Sequence, residues 1–449
     1  MLERLQQARR DARERSDLTR LLGHCRKLLT ERGESNSVAI ATQAIEHYRR
    51  LSGEALREFF DLLAVEFDPD PGEVLRLAES YAATRSPENL VRLSRAAEPP
   101  RQELLRRLNR APEGTGTIVA MRAQLLQRLR SDHRLAAVDA DFEHLLGSWF
   151  NPGFLKLVQV DWTSPAVLLE KIIQHEAVHE IDGWADLRRR MEPDRRCFAF
   201  FHPVLPNEPL IFVEVALLPS MPDAIAPLLD RNHPAQADPS RFKVAAFYSI
   251  SNCQPGLRGV NLGNFLIKRV AERLHEEFPR LKTFCTLSPV PSFADWLARV
   301  EGLESPRLKP AVLADLERAL QGLRQRHGGD LAKLLSPAAA ATQRGEAPGE
   351  AAPAGVEADE LALRRLCAFH LIHTQPGEAT GSDPVARFHL NNGARLERVN
   401  TRADLSRKGL RQSHGLMVNY LYDLEEIESN HERFVHGEVS ASRPVRGLL

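Results

Sequence analysis

The chain of 449 residues is long enough for roughly two or three domains with a large buried core. Its 60 lysine and arginine residues balance 60 aspartate and glutamate residues, so the net charge favours neither nucleic acid nor an anionic membrane as a partner. The five cysteines lack C-x-x-C spacing, which indicates reduced thiols rather than disulfides or a thiolate zinc site. No apolar run approaches the ~20 residues that cross a membrane, and the amino terminus lacks a signal-peptide core, so we expect a cytoplasmic protein.

Helical patterns dominate the sequence through residue 160. Apolar residues recur three and four positions apart, as in the run from Leu21 to Leu29. Asp70 and Ser86 each precede a proline, an order typical of a capping residue followed by the first turn of a helix. Strand-like alternation is not evident before residue 150. Residues 1–160 are therefore predicted to form an all-α helical bundle domain.

The sequence changes character after Met191. Short apolar runs rich in aromatic and β-branched residues predict strands, and helical periodicity between them predicts a mixed α/β domain. The predicted strands lie within residues 197–205, 209–218, 241–251 and 282–288, and a predicted helix lies within residues 261–274. A low-complexity stretch, residues 336–357, is predicted to be a disordered surface insertion. The expected fold class is α+β multidomain, with residues 161–449 as the second domain.

The stretch HEAVH, residues 175–179, fits the H-E-x-x-H pattern in which two histidines one helical turn apart hold zinc. We place it on a helix that begins after Ser164-Pro165 and runs to about Met191, with both histidines on one face. A catalytic zinc ion needs three protein ligands, yet the positions where the extended motif has a glycine and its third ligand hold Asp182 and Ala185. Asp186 could in principle supply a third ligand, but the stretch is interpreted as part of a structural helix and no metal is expected.

A glycine-containing stretch after the third predicted strand resembles the acetyl-CoA-binding loop of GNAT acetyltransferases, Q/R-x-x-G-x-G/A. Its residues are Arg258, Gly259, Val260, Asn261, Leu262, Gly263 and Asn264. In that fold the loop joins a strand to a helix, and its backbone N–H groups hold the pyrophosphate of CoA. A helix N-terminus supplies unpaired N–H groups and partial positive charge, and glycine lets the backbone approach a phosphate closely. Asn261 stands where an acetyltransferase has its middle glycine.

Longer blocks around this loop resemble the malonyl-CoA decarboxylase family. The blocks are YSIS, QPGLRGVNLGNFLIKRV, FPRLKTFCTLSPVPSFADWL, DPVARFHLNNGARLERVN and MVNYLY, together with residues 170–191 and 194–217. The resemblance implies an all-α domain ahead of a GNAT-like catalytic domain, and a homo-oligomer, either a dimer or a tetramer, formed through residues 1–150. It also implies conversion of malonyl-CoA to acetyl-CoA and CO₂ without metal or organic cofactor, CoA being part of the substrate.

The resemblance also assigns roles to individual residues. Ser288 of TLSPVP matches the family's catalytic serine, and His389 of ARFHLNNG matches its catalytic histidine. Ser249, Asn261 and Tyr422 fall at positions that resemble supporting residues of the active site. A histidine with a pKa near neutrality is a natural proton donor, so His389 is expected to be the acid and to stabilise the enolate. Ser288 is expected to contact the malonyl group and to take part in proton transfer, as a dyad with His389.

Other interpretations remain open at this level. A CoA-dependent GNAT-type acyltransferase would use the same loop, but it would also need an acceptor amine and a general base. A non-enzymatic helical scaffold is a third interpretation. From the residues alone, Ser288 fits a turn before Pro289, and His389 fits a helix end followed by the stop signal Asn392-Gly393.

Overall fold

The computed structural model describes residues 2–260, 262, 266–329, 331, 354–374 and 383–449, with residues 2–9, 11 and 354–356 described by their backbone alone. The chain divides into two compact units. The first, which we call the helical unit, comprises Met1–Lys156, Phe201–Leu210 and Asn252–Gly263. The second, which we call the sheet unit, comprises Leu157–Phe200, Ile211–Ser251 and Asn264–Leu449.

The helical unit is built from successive α-helices around an aromatic core. Phe59, Phe60, Phe142 and Phe150 are almost completely buried, and burial of such side chains contributes about 1.5–3 kcal/mol each. The helices are Leu2–Thr30, Glu34–Tyr48, Gly53–Glu66, Pro71–Thr84, Pro87–Ala97, Pro100–Leu108, Gly114–Leu129 and Ala136–Trp149, with short 3₁₀ helices at His133–Leu135, Pro152–Phe154 and Pro255–Leu257.

Two predicted helix starts in this unit are confirmed by their hydrogen bonds. The Asp70 carboxylate accepts the backbone N–H groups of Gly72 at 2.9 Å and Glu73 at 3.3 Å. The Ser86 hydroxyl accepts the N–H of Asn89 at 3.2 Å. Each capping side chain satisfies donors that the first helical turn leaves without an intrahelical partner.

An eight-stranded sheet forms the framework of the sheet unit. The strands are β1 Lys156–Val160, β2 Arg195–Phe201, β3 Ile211–Leu218, β4 Val244–Asn252, β5 Thr283–Thr286, β6 Ser288–Pro289, β7 Arg395–Asn400 and β8 Met417–Leu421. Their order is β1-β2-β3-β4-β5-β8-β6, and β7 also pairs with β8. Strands β4 and β5 are parallel, whereas β2 with β3 and the three partners of β8 are antiparallel, so the sheet is mixed.

Helices follow or connect most of these strands. They are Ala166–His175, Gly183–Arg189, Ala226–Leu229, Leu266–Glu277, Phe293–Arg299, Pro310–Arg326, Ala354–His373, Pro384–Asn391, Arg407–Ser413, Ile427–Val435 and Arg443–Arg446, with a 3₁₀ helix at Pro239–Arg241. The predicted fold class, a helical region followed by a mixed α/β domain, is confirmed. None of the helices in the described ranges is long and apolar enough to cross a membrane.

The strand register divides the side chains near β8 between two faces of the sheet. Phe247 pairs with Thr286, and Ser288 pairs with Val418. Residues paired across strands share a face, as do residues two apart along a strand, so these four side chains lie on one face. We call it the Ser288 face. The opposite face packs a buried apolar cluster that includes Met417.

The predicted long helix over residues 165–191 is wrong. The helix that contains the start of HEAVH ends at His175, and Glu176 adopts an extended conformation with ψ of 108°. The Glu176 carboxylate accepts the backbone N–H groups of Val178 and His179, each at 2.8 Å, in place of a continuing helical ladder. The two histidines therefore do not share a helical face.

The remaining differences from the sequence predictions are local. Strands β1, β7 and β8 are not predicted by patterning, because they are short and β7, RLERVN, carries three charged residues. Of the predicted insertion, residues 336–353 lie outside the described residues, whereas residues 354–357 form the first turn of the helix Ala354–His373.

Candidate active site

A chain of hydrogen bonds joins three residues that the sequence marks as functional. Oγ of Ser288 lies 3.0 Å from Nε2 of His389, and Nδ1 of the same imidazole lies 2.8 Å from the hydroxyl oxygen of Tyr422. Their exposed fractions are 5%, 3% and 1%. We call these three side chains the Ser–His–Tyr chain. The expected pairing of Ser288 with His389 is present, and Tyr422 extends it.

Sheet strands position the two hydroxyl-bearing residues. Ser288 begins β6, and Tyr422 follows β8, where its backbone N–H donates to the carbonyl oxygen of Phe284 at 2.8 Å. Strand β8 pairs with β5 and β6 in one continuous register, which sets the spacing between Tyr422 and Ser288. Val418 pairs with Ser288, and Tyr422 is four residues further along the same extended chain. Side chains an even number of residues apart share a face, so Tyr422 and Ser288 both lie on the Ser288 face.

A helix fixed at both ends positions the histidine. His389 lies in the last turn of the helix Pro384–Asn391, whose first turn donates two backbone N–H groups to Asp383, each at 2.9 Å. After the helix, Gly393 has a φ of 79°, and a Cβ atom there would lie 2.1 Å from the carbonyl oxygen of Ile427. Only glycine fits this close approach, so the chain leaves the helix in one direction.

Asp383 also ties this helix to a neighbouring one. Its Oδ2 atom accepts the backbone N–H of Ser292 at 3.0 Å and the Ser292 hydroxyl at 2.8 Å. Oγ of Ser292 lies 2.9 Å from Nε2 of His370, which like Asp383 is fully buried. Burial raises the pKa of Asp383, although its hydrogen bonds oppose that shift. The role of Asp383 was not predicted from the sequence. An Asp-Pro pair begins this helix, however, and the same pair marked Asp70 as a capping residue.

The electrostatics of the buried site differ from the expectation for His389. Desolvation by burial lowers the pKa of His389 to about 3, so the imidazole is neutral at physiological pH. The expected near-neutral pKa is wrong, because no carboxylate contacts the ring in the described structure to offset its burial. Burial raises the pKa of Tyr422 well above its ordinary value. The Ser288 hydroxyl donates to Oγ1 of Thr286, so its oxygen accepts from Nε2–H of the ring, and the neutral imidazole accepts at Nδ1 from the Tyr422 hydroxyl.

Two further residues complete the surroundings of the histidine. The Ser288 hydroxyl donates to Oγ1 of Thr286 at 2.8 Å, and Thr286 Oγ1 also accepts the backbone N–H of Tyr420 at 3.1 Å. The Tyr420 ring stacks on the His389 imidazole, with 4.6 Å between ring centroids. Sequence reasoning missed both residues, since threonine and tyrosine in strands are ordinary sheet residues.

Ser249, the predicted supporting serine, lies at the same end of the sheet. Ser249 is two residues beyond Phe247 on β4, and Ser288 is two residues beyond Thr286, the residue that pairs with Phe247. Both serine side chains therefore project from the Ser288 face. The Ser249 hydroxyl lies 2.8 and 2.7 Å from the two carboxylate oxygens of Glu176. Glu176 of HEAVH thus supports a serine of the site. Within the described residues, no group of three or more histidine, cysteine, aspartate or glutamate side chains is arranged to hold a metal ion.

The predicted CoA loop belongs to the helical unit and is only partly described. Asn261, Gly263 and Asn264 lie outside the described residues. Arg258, Gly259, Val260 and Leu262 follow β4 and a short 3₁₀ helix, and the helix Leu266–Glu277 comes next, which agrees with the expected strand–loop–helix order.

One buried arginine holds the described part of the loop. Arg122 is 1% exposed and donates to the carbonyl oxygens of Gly256 at 3.1 Å and Arg258 at 2.7 Å. Its guanidinium also pairs with Glu143 at 3.0 Å. Gly259 has a φ of 85°, which favours glycine, and its missing Cβ leaves room for Glu143. The backbone of the loop is therefore held in place by Arg122 and Glu143 of the helical unit.

The Ser–His–Tyr chain can move protons but offers no free charge. Its three members are neutral, buried and connected donor to acceptor, so a proton taken from Ser288 can be replaced through His389. A site of this kind suits a reaction in which negative charge develops on the substrate and one proton is then delivered.

Two family models match the sequence. Residues 67–150 match the malonyl-CoA decarboxylase N-terminal domain, and residues 153–449 match the malonyl-CoA decarboxylase C-terminal domain. The matches cover most of the chain and place it in the class of the carboxy-lyases. The chain belongs to the malonyl-CoA decarboxylase family.

Individual relatives extend over nearly the whole chain. Mitochondrial malonyl-CoA decarboxylase of Rattus norvegicus is 34% identical over 423 residues, which are 90% of this chain and 84% of the relative. The solved malonyl-CoA decarboxylase of Rhodopseudomonas palustris is 44% identical with a TM-score of 0.82, covering 96% of this chain and 99% of that chain. That of Agrobacterium vitis is 45% identical with a TM-score of 0.79, covering 95% and 99%.

Proposed function

We propose that this chain converts malonyl-CoA to acetyl-CoA and CO₂, with the Ser–His–Tyr chain as its catalytic centre. The observation that carries the proposal is the buried hydrogen bond of 3.0 Å between Ser288 and His389. These two residues match the catalytic serine and histidine of the family. The similarity of the chain to malonyl-CoA decarboxylases over most of their length supports the same reaction.

The reaction needs few chemical groups from the protein. The bond between the carboxylate and C2 breaks, and its electron pair moves into the thioester carbonyl to form an enolate while CO₂ leaves. C2 then takes up one proton, so malonyl-CoA and a proton give acetyl-CoA and CO₂. Because the thioester itself accepts the electrons, we propose that no metal or organic cofactor takes part.

We assign delivery of the proton at C2 to the Ser–His–Tyr chain. The Ser288 hydroxyl delivers its proton to C2, and Nε2–H of His389 stabilises the oxygen that remains and replaces the proton. The phenol of Tyr422 holds the imidazole in the tautomer that can do this. A donor aimed at a developing oxyanion contributes about 3–4 kcal/mol in comparable sites. Solvent restores the lost proton when the product leaves.

We propose that the loop after β4 binds CoA through its backbone. The proposed substrate-binding residues are Ser249, Arg258, Gly259, Val260, Asn261, Leu262, Gly263, Asn264 and Tyr422. The positive φ of Gly259 and the strand–loop–helix order support this assignment, since such a turn exposes backbone N–H groups to an anion.

Turnover without metal is the direct test. The purified chain incubated with malonyl-CoA and EDTA should release CO₂ and form acetyl-CoA at the same rate as without EDTA. Ser288→Ala and His389→Ala should each lower kcat by about 100-fold or more with little change in KM, because both act in the transition state. The double variant should lose no more than either single variant, as expected of residues that work as one unit.

Three outcomes would contradict this assignment. Loss of activity on chelation that zinc restores would indicate a metal enzyme. Transfer of an acyl group to an amine without release of CO₂ would indicate the acyltransferase. Wild-type kcat in either single variant would remove that residue from the catalytic centre.

We also propose that the chain forms a homo-oligomer, a dimer or a tetramer, through residues 1–150. Light scattering of the full chain in solution should give a mass of two or four protomers, and a monomer would refute the proposal. A cytoplasmic location is proposed as well, supported by five free cysteines, all of them buried.

A further inference from the structure

A polar cavity lies in the sheet unit, beside β7. It has a volume of about 450 Å³. Its polar lining residues are Asp223, Arg364, Arg398, Asn400, Thr401 and Arg402. We call it the arginine cavity. A cavity of this size accommodates a small organic molecule rather than a single ion.

The arginines of this cavity differ in how their charge is neutralised. Arg402 pairs with Glu360. Arg398 donates to the Asn419 side-chain oxygen at 3.0 Å and to the carbonyl oxygens of Met221 and Pro222 at 3.3 and 2.6 Å, all of them neutral acceptors. These bonds fix the guanidinium in place, and no carboxylate among the described residues forms an ion pair with it.

Arg364 has an unmet hydrogen-bonding group. Its Nε atom is buried and has no hydrogen-bond partner among the described residues. The guanidinium groups of Arg364 and Arg398 therefore line one cavity without a carboxylate partner among the described residues, and Asp223 is the single carboxylate among the lining residues.

The arginine cavity lies on the face of the sheet opposite to the Ser288 face. On β7, Val399 pairs with Val418, which pairs in turn with Ser288. Arg398 and Asn400 flank Val399, so their side chains project from the face opposite to the Ser288 face. A ligand of this cavity is therefore separated from the Ser–His–Tyr chain by the sheet itself.

We propose that the arginine cavity binds the phosphate group of a phosphate-bearing metabolite. Guanidinium groups match phosphate oxygens with paired, charge-assisted hydrogen bonds, and a phosphate monoester carries nearly two negative charges at neutral pH. Arg364 and Arg398 bind the phosphate, and Asp223 accepts a hydroxyl group of the organic part. Such a ligand is distinct from the malonyl-CoA that reacts on the Ser288 face.

Calorimetry on the full chain with inorganic phosphate, glucose 6-phosphate and AMP tests this proposal. Arg364→Gln should weaken the binding of each by about 10-fold or more, because one charge-assisted pair is lost. Asp223→Asn should leave the affinity for inorganic phosphate unchanged or increase it, since it removes a negative charge near the anion. Arg318→Gln is the matched control: Arg318 is exposed on the helix Pro310–Arg326 and pairs with Asp315 of its own helix.

The outcomes distinguish free phosphate from an organic phosphate as the ligand, and they show whether the proposal holds. Equal affinity for all three probes identifies free phosphate as the ligand, and tighter binding of a monoester identifies an organic phosphate. Absence of binding by the wild-type chain, or equal affinity in Arg364→Gln, overturns the proposal. A raised KM for malonyl-CoA in Arg364→Gln also overturns it, because the cavity would then belong to the substrate site. The binding measurement does not depend on turnover, so failure of the proposed reaction leaves it intact.

Discussion

In the proposed mechanism, the hydroxyl of Tyr422 determines how the imidazole of His389 acts. A histidine that is neutral at physiological pH is a poor acid unless a second donor replaces the proton that it gives up. The Tyr422 hydroxyl lies 2.8 Å from Nδ1 of His389 and can be that donor. The phenol both fixes the ring and selects the tautomer with Nε2–H toward Ser288. Tyr420, stacked on the same ring, supplies packing but no hydrogen bond to it.

We therefore predict that Tyr422→Phe lowers kcat by about 10-fold, the effect of one lost hydrogen bond on the relay. KM for malonyl-CoA should change little, because phenylalanine keeps the ring at this proposed substrate-binding position and the lost hydroxyl contacts His389. Steady-state kinetics with malonyl-CoA measure both quantities.

Tyr420→Phe is the matched control. The buried Tyr420 hydroxyl has no hydrogen-bond partner among the described residues, so its removal should leave kcat unchanged and should not destabilise the fold. If Tyr422→Phe were as active as Tyr420→Phe, the relay would end at His389 and Tyr422 would have no role in it.

At the scale of elements, one short helix carries His389 to the sheet. The helix Pro384–Asn391 has only eight residues, too few to be stable alone, so its position depends on its ends. Asp383 accepts hydrogen bonds from its first turn and from Ser292, which precedes the helix Phe293–Arg299. Asp383 is thus a positioning residue for His389.

We predict that Asp383→Ala destabilises the sheet unit by about 1–3 kcal/mol, the cost of a lost cap and of buried donors left without an acceptor. It should also lower kcat by about 10-fold, because a small displacement of His389 breaks its alignment with Ser288. Urea unfolding and steady-state kinetics measure the two effects.

Asp70→Ala provides the comparison, since Asp70 caps a helix of the helical unit in the same way. It should destabilise by about 1 kcal/mol without a change in kcat. Equal kcat in both variants would show that Asp383 acts on stability alone.

For the whole molecule, buried histidines make stability depend on pH. Burial lowers the pKa of His389 to about 3 and the pKa values of His179, His370 and His414 to about 4 each. Their pKa in an unfolded chain is near 6.5. Between these values the unfolded chain binds more protons, so stability is complete above pH ~6.5 and falls as the pH decreases toward 4.

We predict that the free energy of unfolding decreases between about pH 6.5 and pH 4.5, by up to about 1.4 kcal/mol per pH unit for each buried histidine. His389→Gln should reduce this slope by about the contribution of one group. Tyr422→Phe keeps all four histidines and should retain the wild-type slope. Urea titrations at several pH values provide the slopes, and a slope that does not change in His389→Gln would mean that His389 is protonated in the folded protein.

The sequence by itself determined the helical character of the first 150 residues, strands β2 to β5 and the family of the chain. Periodicity, proline after a capping residue and apolar runs are local properties, so Asp70 and Ser86 could be recognised as caps. The blocks containing Ser288 and His389 could be recognised because each is contiguous in the chain.

Only the tertiary structure decided what those residues contact. HEAVH looked helical because its spacing suits a helix, but the Glu176 carboxylate competes for backbone N–H groups and supports Ser249, 73 positions away. The low pKa of His389 arises from burial among elements distant in the chain. Pairing of β7 with β8 likewise separates the arginine cavity from the Ser288 face. Such contacts depend on long-range packing, which local sequence patterns do not encode.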